Sequence, residues 1–178
     1  MAQLTFSLVG GSTLKCSGGP MPFTVFPDKV QSGVLNLLPS PQESPSREII
    51  SWPGEYDIAG ITVRGIGQNE GQKVSYVLDI DDIRFAFPAS PLEDWRDEDI
   101  ERMGEVHVLV LPAEDPKKCQ ALLDEVDPRV LFIVPGSDGS LHPDVLKACG
   151  AADKEHVKEF KLKGTFGAEG REVVVFSA

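Results

Sequence analysis

Three histidines, His107, His142 and His156, and three cysteines, Cys16, Cys119 and Cys149, are all the imidazole and thiol chemistry in the chain. These side chains supply most zinc ligands, general bases and strong nucleophiles. No two of the histidines are close in sequence, and the cysteines lack the paired spacing of a zinc site, so no local metal pair is visible. His107 falls in the run Val106 to Leu111 and reads as a core or edge imidazole with one satisfied hydrogen bond. His142 precedes Pro143 and reads as a helix cap, and His156, among Lys154, Glu155 and Lys158, reads as solvated. A serine nucleophile needs a base beside it. His142, two residues after Ser140, is the one candidate near the Pro135 loop, and nothing places a third orienting group. Gly65-Ile66-Gly67 lacks a third spaced glycine, and there is neither a phosphate loop with Lys-Ser/Thr nor a Gly-x-Ser-x-Gly elbow.

The elements that would position such groups are short. Leu4, Phe6 and Leu8 alternate with polar neighbours, and Thr13 to Cys16 can pair back on them. Phe23 to Phe26 sits between prolines. Val34 to Leu38, interrupted only by Asn36, reads as a strand buried on both faces. Pro39, Pro41 and Pro45 then exclude helix and ladder bonding, so Pro39 to Pro45 is a loop. Glu48 to Ile50, a turn at Trp52-Pro53-Gly54, the pair Tyr56 to Ile58 and Ile61 to Ile66, and the hairpin Val74 to Ile80 and Ile83 to Phe87 follow. Beyond Asp94, which can cap a helix over Trp95 to Met103, the pattern becomes strand–helix–strand. Asp115 caps a helix with Pro116 at its first position, and Cys119, Leu122, Leu123 and Val126 fall on one face of it. Val130 to Val134, a short helix from Pro143, and strands over Val157 to Leu162 and Glu172 to Ser177 complete a single domain over residues 1–178.

The chain has 178 residues, 41% of them apolar, enough for a real core. Its net charge of -11 repels phosphate backbones and anionic membranes, so neither nucleic acid nor membrane is an expected partner. No apolar run approaches the roughly 20 residues of a membrane span. The N-terminus reads as a strand rather than a leader, and the odd, widely spaced cysteines suit reduced thiols, so a cytoplasmic protein is expected.

Trp52-Pro53-Gly54-Glu55-Tyr56-Asp57-Ile58-Ala59-Gly60-Ile61 resembles the Gly-Pro-Gly-Glu-Tyr-Glu-x-x-Gly-Val segment of small metallo-β-lactamase-fold hydrolases, the ascorbate-phosphate lactonase-like branch above all. Phe6 to Ser12 resembles that family's opening strand and Gly-His-Ser turn. Val34 to Leu38 resembles the strand before its metal motif, and Ile83 to Phe87 the strand leading to His-x-Gly-Asp. Asp97 to Val106 and Asp127 to Leu131 follow in the same order, so the match runs from about residue 4 to residue 135. The resemblance implies a four-layer αββα sandwich, here α+β with a reduced helical complement, because only a few residues separate Ser44 from the next strand.

The resemblance also implies one or two metals held by His-x-His-x-Asp-His. Those four positions read Pro39, Pro41, Glu43 and Ser44 here. The bridging aspartate falls on Ser90, the histidine before it on Phe87, the last metal histidine on Pro135 and the opening-turn histidine on Gly11. Proline and phenylalanine side chains offer no donor atom, and one carboxylate cannot hold a catalytic metal. The expectation is therefore a degenerate member with no catalytic residues, no metal and no cofactor. It would serve as a binding or interaction module for a small molecule or protein and could form a homo-oligomer. The alternative is a hydrolase of the same superfamily using a non-standard site. The loops Pro39 to Ser46, Pro88 to Asp94 and Pro135 to Ser140 would converge, carrying Ser40, Glu93, Ser137 and Asp138 besides the positions named. Turn residues of these types also arise for conformational reasons alone. Trp95 reads as packed, and Trp52 as either packed or exposed.

Overall fold

The computed structural model describes residues 3–44, 46–164, 166 and 170–178. Fourteen strands among them form two sheets. The six-stranded sheet contains β1 (Leu4–Gly10), β2 (Thr13–Ser17), β3 (Phe23–Val25), β4 (Leu35–Leu37), β5 (Ile49–Ile50) and, at its other edge beside β1, β13 (Glu159–Leu162). The eight-stranded sheet runs from β6 (Gly54–Ile58) through β7 (Ile61–Gln68), β8 (Lys73–Ile80), β9 (Ile83–Phe87), β10 (Val108–Pro112), β11 (Val130–Val134) and β14 (Glu172–Phe176) to β12 (His156–Val157). Both sheets are mixed. β6 to β9 are an antiparallel meander, and β9, β10, β11, β14 and β12 are parallel.

Alternation on the strands sets the layers. Inward residues of both sheets, including Phe6, Phe23, Leu35, Phe85, Phe87 and Phe132, fill the space between them. The rings meet edge-on: Phe132 stands 5.2 Å from both Phe6 and Phe176, at interplanar angles of 67° and 74°. A second core lies on the outer face of the eight-stranded sheet under α1 (Asp97–Met103), α2 (Pro116–Val126) and α3 (Pro143–Ala148). β10 and β11 are buried throughout because both of their faces are covered. This is the expected two-sheet sandwich with few helices, and the three described helices all sit on one side of it. The outer face of the six-stranded sheet presents Thr24 and Asn36 instead, both fully buried. There the Asn36 amide accepts from the Thr24 hydroxyl and the Gln31 N–H, and donates to the carbonyls of Gln31, Val34 and Glu48 at 2.9–3.1 Å.

Local expectations failed where distant partners decide. The first helix starts at Asp97, not after Asp94: Arg96 is its N-cap and makes no side-chain cap bond. Three acids, Asp97, Glu98 and Asp99, then occupy the first turn, where the macrodipole favours them. His107 precedes β10 rather than lying within it. The expected strand Val157 to Leu162 divides at Lys158: Val157 belongs to the eight-stranded sheet and Glu159 to the six-stranded one. At that corner the Val157 carbonyl accepts from Ser177 N–H at 3.0 Å, and the Lys158 carbonyl accepts from Leu8 N–H at 2.9 Å.

Candidate functional site

The carboxyl ends of β4, β9, β10 and β11 point to one end of the sandwich, where this class of fold places its loops. The β4 loop is drawn aside. The Pro39 carbonyl accepts from Val74 N–H at 2.8 Å. Gln42 is fixed at both of its backbone groups, its N–H on Ser51 Oγ at 3.0 Å and its carbonyl on the Trp52 indole at 2.8 Å. Pro41 is half-buried, and Ser40, Glu43 and Ser44 face solvent. Glu43, the one ordinary ligand type at the matched positions, is thus an exposed loop carboxylate.

Two of the other matched positions, Phe87 and Ser90, come together at a site that is nearly closed. Phe87 is 1% exposed and its ring lies 6.2 Å from Phe23. Phe26, Phe87, Pro88, Pro112, Val134 and Ser90 surround a cavity of about 20 Å³. That volume holds a single water at most. Pro135 is buried, and Gly11 is exposed in the β1–β2 turn.

Glu114, two residues beyond β10, was not singled out from the sequence. Its carboxylate accepts from Ser90 Oγ on one oxygen and from Ser137 Oγ, at 3.2 Å, on the other. It therefore ties the loop after β9 to the loop after β11. Gly136 gives it room: a Cβ there would lie 3.1 Å from the Glu114 Cβ. Position at the end of a buried parallel strand was the signal that could have found it. Glu114→Ala is expected to cost about 0.5–1.5 kcal/mol, since the half-buried Ser90 hydroxyl loses its acceptor while the exposed Ser137 turns to water. Glu114→Gln should cost less, and the difference can be read from denaturant midpoints.

The remaining candidates have other partners. Lys73 Nζ stands 2.7 Å from Glu93, and this hydrogen bond and charge hold the carboxyl below its usual range. Ser140 Oγ donates to Asp138 at 2.8 Å, and the bonds from Ser140 hold the Asp138 carboxyl low. His142 Nδ1 accepts from Asp144 N–H at 3.1 Å, the expected cap. Ser140 and His142 therefore do not form a nucleophile–base pair. His107 Nδ1 accepts from Arg84 N–H at 2.9 Å and its ring stacks on Phe166. His156 is exposed on β12. Trp95 packs against the helical core, whereas Trp52 is 53% exposed. Burial pushes the Cys16 and Cys119 thiols up to about 12, so both stay protonated and unreactive at neutral pH.

Solved structures share the architecture. A protein assigned as a Zn-dependent hydrolase of the metallo-β-lactamase superfamily from Thermotoga maritima superposes with a TM-score of 0.75 over 98% of both chains, at 16% identity. The chain has the metallo-β-lactamase fold. The metallo-β-lactamase fold protein YhfI from Bacillus subtilis gives 0.61 over 97% of this chain and 96% of its own, at 8% identity. CmlA, a diiron β-hydroxylase from Streptomyces venezuelae, gives 0.52 over 75% of this chain and 45% of its own, at 9% identity. No family model and no curated protein matches the chain in sequence.

A metal of the kind this fold implies does not fit the residues present. Among the described residues no three His, Cys, Asp or Glu side chains converge as ligands. At the end of the sandwich where the fold's site lies, Phe87 and Pro135 lack donors, and both Glu114 oxygens already hold serine hydroxyls. A catalytic zinc needs three protein ligands and an open position.

Proposed function

We propose that this chain is a non-catalytic metallo-β-lactamase-fold protein that acts as a binding or interaction module. The observation that carries the reading is the closed site: Phe26, Phe87 and Pro88 pack where a substrate would have to enter, and about 20 Å³ is left. Ligand pockets need some 300–1,000 Å³. The acidic surface, at net charge -11, supports a protein or small-molecule partner over nucleic acid or an anionic membrane. Three free cysteines, two of them buried, support a reducing, cytoplasmic setting. Among the described residues no helix is long and apolar enough to cross a membrane.

One observation favours the rival, a hydrolase working through a non-standard site: Ser90 Oγ donates to Glu114, a hydroxyl beside a carboxylate base. The same experiment separates the two. After reconstitution with zinc and with manganese, elemental analysis should find far less than one metal per chain. Esterase and phosphodiesterase screens should show no turnover above background. Turnover abolished by Ser90→Ala would establish the rival. One tightly held metal per chain, lost together with activity in Glu43→Ala, would overturn the proposal outright.

A further inference from the structure

Between the segment entering α1 and the last turns of α2 runs a groove of about 290 Å³ with an apolar floor of Trp95, Ile100 and Leu122. Its walls are acidic. Asp94, Asp97, Asp124 and Glu125 line it and are exposed, while Glu93 is already held by Lys73. Lys118 is the one cation among its described lining residues, and Asp115 lies 3.8 Å from it.

The charge order of α2 is independent of that shape and points the same way. Helices favour acids in the first turn and bases in the last. α2 has neither: it carries Lys117 and Lys118 near its start and Asp124 and Glu125 at its end. The negative end of the macrodipole therefore coincides with two carboxylates that face the groove. Asp127 at the C-cap is neutralised by Arg171 at 2.7 Å, but Asp124 receives only the neutral amide of Gln120. A local rule broken at a solvent-facing helix end is typical of a surface shaped for a partner.

From this juxtaposition we infer that the α1–α2 groove docks a basic segment of a partner protein, an aliphatic side chain on the floor flanked by lysine or arginine against the walls. Carboxylates at the end of α2 attract the cations, and Trp95 offers both apolar area and a π face. The inference deepens the reading of an interaction module and rests on it only in taking the chain to act by binding. Metal content and turnover, measured on the same preparations, test that reading separately.

The full chain has two tryptophans, so Trp52→Phe leaves Trp95 as the sole indole reporter. Titration with a short peptide repeating Lys-Leu-Arg should give a saturable shift of Trp95 emission at physiological salt. In that background Asp124→Lys with Glu125→Lys should weaken binding by about tenfold or more. The double variant places lysines where the dipole prefers them, so it should fold at least as stably as the parent. Asp153→Lys with Glu155→Lys, exposed positions outside the groove lining, changes net charge equally and should leave affinity within about twofold. No emission shift, or equal losses in both double variants, would overturn the inference. So would equal binding of a peptide with serine in place of leucine, or equal binding of spermine, since either would show charge acting without the apolar floor.

Discussion

Asn36→Asp should cost about 3–5 kcal/mol, the range for an uncompensated buried charge. Asn36 is fully buried on the outer face of the six-stranded sheet, and its Nδ2 donates to three carbonyls, those of Gln31, Val34 and Glu48. Aspartate keeps the shape and inverts the chemistry, setting a carboxylate oxygen against three acceptors. Domains are stable by only about 5–15 kcal/mol, so the loss would take a large part of the total. The new carboxyl, desolvated and facing carbonyls, would titrate above its unfolded value. The deficit relative to Asn36 should therefore shrink as pH falls through that raised value and be fully present at neutral pH. Urea unfolding of both proteins across the acid range measures this. A deficit under about 1 kcal/mol at neutral pH would show that the carbonyls find other donors.

Phe87→Ala should be comparably severe, about 3–5 kcal/mol, with the denaturant midpoint lowered and the slope unchanged. Phe87 is 1% exposed and packs beside Phe23 and Phe85 at the mouth of the closed site. Its removal would join a ring-sized void to the existing small cavity, and the apolar lining should keep that void dry. A crystal of the variant under xenon should show the gas there. Phe87→His is expected to leave metal content unchanged, because one imidazole among Phe26, Pro88 and Pro112 is still short of a ligand set. The closed site is thus a property of the whole wall and not of one substitution.

What the sequence made legible follows from how local each cause is. The β8–β9 turn was marked by Asp81-Asp82, both of which adopt positive φ, and α2 by Asp115, whose side chain accepts from Lys118 N–H. These signals act within a few residues. The emptiness of the ligand set was likewise visible in residue types alone, because Phe87 and Pro135 carry no donor atoms whatever the fold does. Glu114 was not visible, since its two partners lie 24 and 23 residues away and meet it only through the sheet. The start of α1 was misplaced because Trp95 is spent on the helical core rather than on a first turn. The exposed course of Glu43 depends on Ser51 and Trp52 gripping Gln42, a tertiary contact that no spacing rule anticipates.

The corner at Lys158 carries a consequence for how the chain comes into being. β13 pairs with β1, Leu4 opposite Leu162, and a peptide group away β12 pairs with β14. Leu4 thus leaves the ribosome long before Leu162, and β1 keeps one bare edge for that interval. At about 5–20 residues per second that wait lasts several seconds or more. An unpaired edge of alternating apolar residues is a template for wrong partners. β12 and β13 therefore form a seam between the two sheets, and the arrival of β13 covers that open edge of β1.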